Sequence, residues 1–226
     1  MPFSRDAFLG VFEAYNQAVW PAQVGLYVLA GVALVLAALG RPAARRASMA
    51  ILAALWLWMG VAYHFAFFTA INVAAWVFGG AFVVQALLFG VAALRDQSDA
   101  IASPRWSRSL GASLIAYAVV VYPLLGQLSD HPYPRSPTFG LPCPTTIFTF
   151  GLLVLLAGPP PRWLLVIPGL WAVVGSSAAF MFGIWEDMGL AVAAVVGVVG
   201  VVLRARSGNA RTGHRTTTPA PASASA

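Results

Sequence analysis

No lysine occurs in this chain, and cysteine appears once, at Cys143. A single thiol excludes an intramolecular disulfide and a multi-cysteine metal cluster. Charge is also scarce: Asp, Glu, Lys and Arg make up 9% of 226 residues, against about a quarter in a soluble domain. So few charges cannot cover a water-facing surface, which excludes a soluble globular domain. The three histidines form neither His-x-x-x-His nor His-Glu-x-x-His, so spacing gives no metal signature. The net charge of +6 comes from arginines scattered between apolar runs rather than interleaved with aromatics, so nucleic acid is not an expected partner. No secretory leader is expected either. Arg5, Asp6 and Glu13 precede the first long apolar run, and the N-terminus is expected to be retained.

What the chain has in abundance is apolar sequence, 60% of residues with a mean hydropathy of +0.80. The expected fold is all-α: a polytopic membrane helix bundle of about seven transmembrane helices. Residues 1–19 are expected to form a short interfacial amphipathic helix, capped by Ser4. Its apolar face carries Phe8, Val11 or Phe12, Tyr15 and Val19, and its polar side Glu13 and Asn16. The transmembrane domain spans 20–204, with apolar segments near 20–39, 48–69, 73–94, 109–126, 145–157, 163–182 and 188–203. Most are long enough to cross roughly 30 Å of hydrocarbon. The fifth is short and hemmed in by Pro142, Pro144 and Pro159–Pro161. Either the prolines extend it, or the loop before it dips into the protein. Residues 205–226, rich in Thr, Pro, Ala and Ser, are expected to be a disordered cytoplasmic tail. There is no internal repeat.

Arginine distribution sets the expected orientation. With the N-terminus outside, the inner segments hold Arg41, Arg45, Arg46, Arg95, Arg105, Arg108, Arg162, Arg204, Arg206, Arg211 and Arg215. The outer ones hold Arg5 and Arg135 only. Eleven against two is a positive-inside pattern and predicts an N-out, C-in topology in the bacterial inner membrane, consistent with the arginine and alanine load of a GC-rich genome.

This topology collects most other polar chemistry at the outer end: Asn16, Gln23, His64, Asn72, Asp130, His131, Cys143, Thr145, Thr146, Glu186 and Asp187. Taken singly, each has an ordinary explanation. His64 is a histidine bonded to a neighbouring helix, Asp130 and His131 are solvated loop residues, and Asp187 caps the seventh helix. Taken together, they suggest a site. The proline-stiffened run 131–146 can fold over the bundle. The fifth helix then opens below the surface, its N-terminus facing a pocket with Arg135 as a lid charge. Candidate ligand contacts are His64, Asn72, Arg135, Cys143, Thr145, Thr146 and Glu186. A zinc site would draw on His64, His131, Asp130 and Glu186, without support from spacing.

Several of these residues stand in recognisable strings. Tyr15-Asn16 with Trp20-Pro21-x-Gln23, Tyr63-His64 with Phe67-Phe68 and Ile71-Asn72, and Pro142-Cys143-Pro144-Thr145-Thr146-Ile147-Phe148-Thr149-Phe150-Gly151 resemble an uncharacterised family of bacterial multi-pass membrane proteins. The family is a domain of unknown function, number six-zero-six-four. The resemblance runs from the N-terminus to about Arg204. Val73 departs from it, replacing a proline, so the second-to-third turn is expected to differ. The resemblance implies a helical membrane protein and supplies no activity. The expected function is binding or transport of a small polar or anionic ligand through an outward-facing polar pocket, with the lipid bilayer as surroundings. The alternatives are a metal-assisted membrane hydrolase of a lipid-like substrate and a non-catalytic scaffold or partner subunit.

Overall fold

The computed structural model describes residues 3–95 and 103–215, the last nine as backbone only. Asp96 and Asp99 lie outside the described residues. The chain is an all-helical bundle of the multi-pass membrane type. Six helical segments are long and apolar enough to cross a membrane: Ala22–Leu39, Pro42–Ala70, Ala75–Arg95, Arg105–Leu128, Arg162–Phe182 and Trp185–Arg206. A shorter apolar helix, Pro142–Leu155, makes the seventh.

Helix α1 (Arg5–Val19) begins where Ser4 Oγ accepts the Ala7 N–H at 3.2 Å. It buries Phe8, Leu9, Val11, Phe12 and Tyr15 against the end of the bundle. Asn16, expected on the polar side, is also buried and turns inward. Helices α2 (Ala22–Leu39) and α3 (Pro42–Trp58) follow. The latter continues as a π-helical stretch, Met59–Phe65, that carries Tyr63 and His64. Helix α4 (Ala75–Arg95) opens after Asn72, whose Oδ1 accepts the Ala74 N–H at 3.1 Å. Helix α5 (Arg105–Ala116) passes through a second π-helical stretch, Tyr117–Val121, into α6 (Tyr122–Leu128). Segments of this kind widen a helix by one residue per turn and often accompany functional sites.

Helix α7 (Pro142–Leu155) is the hub. Every residue of it except Cys143 is buried. A helix that is apolar all round belongs inside rather than against lipid, and at roughly 21 Å it need not reach either surface. Its approach to α5 is close. A Cβ on Gly111 would stand 2.6 Å from the Gly151 carbonyl oxygen, and one on Gly151 would stand 2.9 Å from that of Gly111. Paired glycines let two backbones touch where lipid offers no hydrophobic drive for association.

The C-terminal carbonyls of α7 have no helical partners, and four side chains supply them. Arg204 donates to Val154 and Leu156, both at 2.6 Å, and Ser107 to Val154 at 2.6 Å. Ser103 donates to Leu155 and Leu156, and Arg45 to Ala157 and, at 2.7 Å, to Gly158. Cations at a helix C-terminus also complement its dipole. Two of the arginines that the sequence assigns to orientation therefore hold the core as well.

Helices α8 (Val166–Phe182) and α9 (Met188–Arg215) complete the bundle. The backbone of 205–215 continues α9, where the sequence suggests the start of a disordered tail. The rest of that expected tail, 216–226, lies outside the described residues.

Candidate functional site

The segment 129–141 folds back over one end of the bundle, held by side chains from distant parts of the chain. Asn16 Nδ2 donates to the Pro134 and Ser136 carbonyls at 2.7 and 2.9 Å. Its Oδ1 accepts from Gln23 Nε2 and Thr138 Oγ1, both at 2.7 Å. Arg135 pairs with Asp6 and lies 3.7 Å from Glu13. Arg5 bridges the Phe182 carbonyl and Asp130, each at 2.7 Å. Gly140, at φ +99, closes the segment against α2, where a Cβ would meet Leu26 at 2.3 Å.

Beneath this cover runs a line of ionisable groups. His131 is buried, with Nδ1 2.8 Å from exposed Asp130 and Nε2 2.9 Å from buried Glu186. Carboxylates only accept, so hydrogen bonds at both ring nitrogens favour the imidazolium. The bond to Glu186, then that to Asp130, raises the His131 pKa above its ordinary 6.5 although burial opposes it. Arg5 and His131 hold the Asp130 carboxyl well below the usual carboxylate range. Beside Glu186, the Asp187 carboxyl accepts the Tyr122 hydroxyl and interacts with the Cys143 thiol. Tyr117 donates to the Glu186 carbonyl at 2.7 Å.

Asp187 and Cys143 border a partly enclosed cavity of about 110 Å³. Phe8 and Phe12 of α1, with Phe3 just before it, roof it; Tyr63, Phe68, Phe78 and Trp171 form its walls. Asn72 and Gly175 also line it, and a Cβ on Gly175 would stand 3.3 Å from the Cys143 sulfur. The space is thus aromatic with a few polar groups, one of them an acid.

The family model described as a family of unknown function (DUF6064) matches residues 5–212. The chain belongs to this family. No curated protein and no solved structure matches it.

Tyr15 and Thr145 both fasten Gly140, at the end of the molecule just described. Tyr15 donates to the Gly140 carbonyl at 3.4 Å and accepts from Trp58 Nε1 at 2.7 Å. Thr145 Oγ1 accepts the Gly140 N–H at 3.0 Å, and Thr149 accepts from Trp56 Nε1 at 3.0 Å.

The structure divides the candidate contacts. Asn72 and Cys143 line the cavity. His64 lies behind its wall, its ring centroid 4.6 Å from Phe82 and 5.2 Å from Trp171, with neither nitrogen hydrogen-bonded among the described residues. Thr145 is engaged by Gly140, and the buried Thr146 hydroxyl has no hydrogen-bond partner among the described residues. Glu186 is committed to His131. Arg135 is not a lid charge over the cavity, because Asp6 and Glu13 hold it elsewhere on the cover. His131 is not a solvated loop residue, and Asp187 faces Tyr122 and the cavity rather than serving only as a helix cap. Of the four suggested zinc ligands, Asp130, His131 and Glu186 bond to one another in a line, while His64 packs among aromatic rings. Among the described residues no three of His, Cys, Asp and Glu form a group able to hold a metal ion. Sequence reasoning missed the aromatic roof; the phenylalanines at 3, 8 and 12 were its only signal.

Proposed function

We propose that this chain is a ligand-binding membrane protein, acting in binding or transport, whose ligand is a small molecule with an apolar body and one cationic or hydrogen-donating group. The supporting observation is a single buried acid, Asp187, in a cavity walled by Tyr63, Phe68, Phe78 and Trp171. Pockets of this kind hold a ligand's body by apolar burial and orient it through few polar groups. Aromatic faces also attract cations.

An anionic ligand fits less well. Pro142 and Pro144 leave two of the first three positions of α7 without an N–H, and Asp187 stands beside the third, Cys143. The proposed setting is the bacterial inner membrane, with the cavity at the outer face, as the arginine distribution favours. Metal-assisted hydrolysis has less support, since both nitrogens of His131 are engaged and His64 is surrounded by aromatic rings.

The test uses the purified full chain in nanodiscs, with benzylamine and benzoate as probes of equal body and opposite charge. Benzylamine should bind, and Asp187→Asn should weaken it roughly tenfold or more, the value of one hydrogen bond to a charged group. Gly175→Val, which narrows the cavity at Cys143, should weaken both the charged probe and neutral toluene. Benzoate binding as tightly as benzylamine would end the acid-centred reading. So would a benzylamine affinity indifferent to both substitutions.

A further inference from the structure

A second cavity, of about 380 Å³, opens at the opposite end of the bundle. It lies between α3, α4, α9 and the Pro159–Pro161 run, and three arginines, Arg45, Arg95 and Arg162, line it. Buried Arg45 forms its floor, fixed there by the Ala157 and Gly158 carbonyls. Arg95 and Arg162 are exposed and make no hydrogen bond or ion pair among the described residues. Among the described residues the lining includes no acid, and Trp163 stands at the rim with 43% exposure, a typical interfacial anchor. The three prolines have no N–H to offer, so hydrogen-bond donation into this space falls mainly to guanidinium groups.

From this geometry we infer that the cleft binds a phosphate-bearing anion, either the headgroup of an anionic lipid or a soluble phosphate. Guanidinium groups match phosphate oxygens in forked pairs, and basic pockets between membrane helices on the arginine-rich side accept anionic headgroups. The site is separate from the aromatic cavity, so either assignment can fail without the other.

The experiment compares the full chain with the Arg95→Gln/Arg162→Gln and Arg95→Lys/Arg162→Lys pairs. One arm counts phosphatidylglycerol and phosphatidylcholine retained through native mass spectrometry. The other measures thermal stabilisation by inorganic phosphate, with chloride at equal ionic strength as the reference. A lipid source predicts preferential retention of phosphatidylglycerol. Losing two basic residues at an anionic surface should weaken that retention roughly thirtyfold in the glutamine pair. The lysine pair should retain more than the glutamine pair. A soluble source predicts phosphate-specific stabilisation that the glutamine pair loses. If neither lipid selectivity nor phosphate stabilisation appears, or if the glutamine pair keeps them in full, the inference is overturned. Size-exclusion profiles and helical circular dichroism unchanged in both pairs would show that the bundle is intact.

Discussion

His131 connects the surface to the interior. One ring nitrogen meets exposed Asp130 and the other buried Glu186, with Arg5 over the former and Asp187 next to the latter. Because its folded pKa lies above the ordinary 6.5, its contribution to stability is fully present below about that pH. It is lost as pH rises through the raised folded value. Melting of the full chain should therefore move to lower temperature between pH 6 and pH 9. His131→Gln, which cannot carry the charge, should flatten that slope. Equal slopes in the two proteins would remove the imidazolium from this role. None of this was legible in a His-Pro dipeptide within a proline-rich loop. A solvated histidine and a buried one bonded at both nitrogens have the same sequence until the partner, 55 positions away, is placed.

Helices were far easier to read than their contacts. The expected segments 20–39, 73–94 and 163–182 match Ala22–Leu39, Ala75–Arg95 and Arg162–Phe182 to within a residue or two, since the hydrophobic length needed to cross a bilayer marks them directly. Prolines around the fifth segment signalled something unusual, and α7 begins at Pro142, a position where a missing N–H costs the helix nothing. What stayed hidden was which helix is central. That depends on matched surfaces, above all Gly111 against Gly151, and lone glycines in apolar runs give no hint of a partner. A Gly111→Leu substitution places a side chain where the Gly151 carbonyl stands 2.6 Å from an added Cβ. It should cost about 1–3 kcal/mol through overpacking, read as a lower midpoint in denaturing-detergent titration. Gly90→Ala, with open space around its Cβ, serves as control. Equal midpoints would show that the α5–α7 approach is not tight.

The molecule as a whole sorts its chemistry by end. Arg5, Asp130, His131 and Glu186 gather at one, and Arg45, Arg95, Arg162 and Arg204 at the other. The expected topology places the first end outside. In a Cys143→Ala background, Val73→Cys at the exposed turn before α4 should react with a membrane-impermeant maleimide on intact cells. Ser207→Cys should react only after lysis. The opposite pattern would invert both proposed sites.

The way α7 is finished has a consequence for biogenesis. Its last carbonyls bond to Arg204, which is translated about fifty residues after the helix itself. Ser107 and Ser103, made before α7, already hold the Val154 and Leu156 carbonyls, so the arginine arrives as a second donor to each. The final helix thus reinforces an end that earlier segments have already closed, and adds the positive charge that the finished α7 faces.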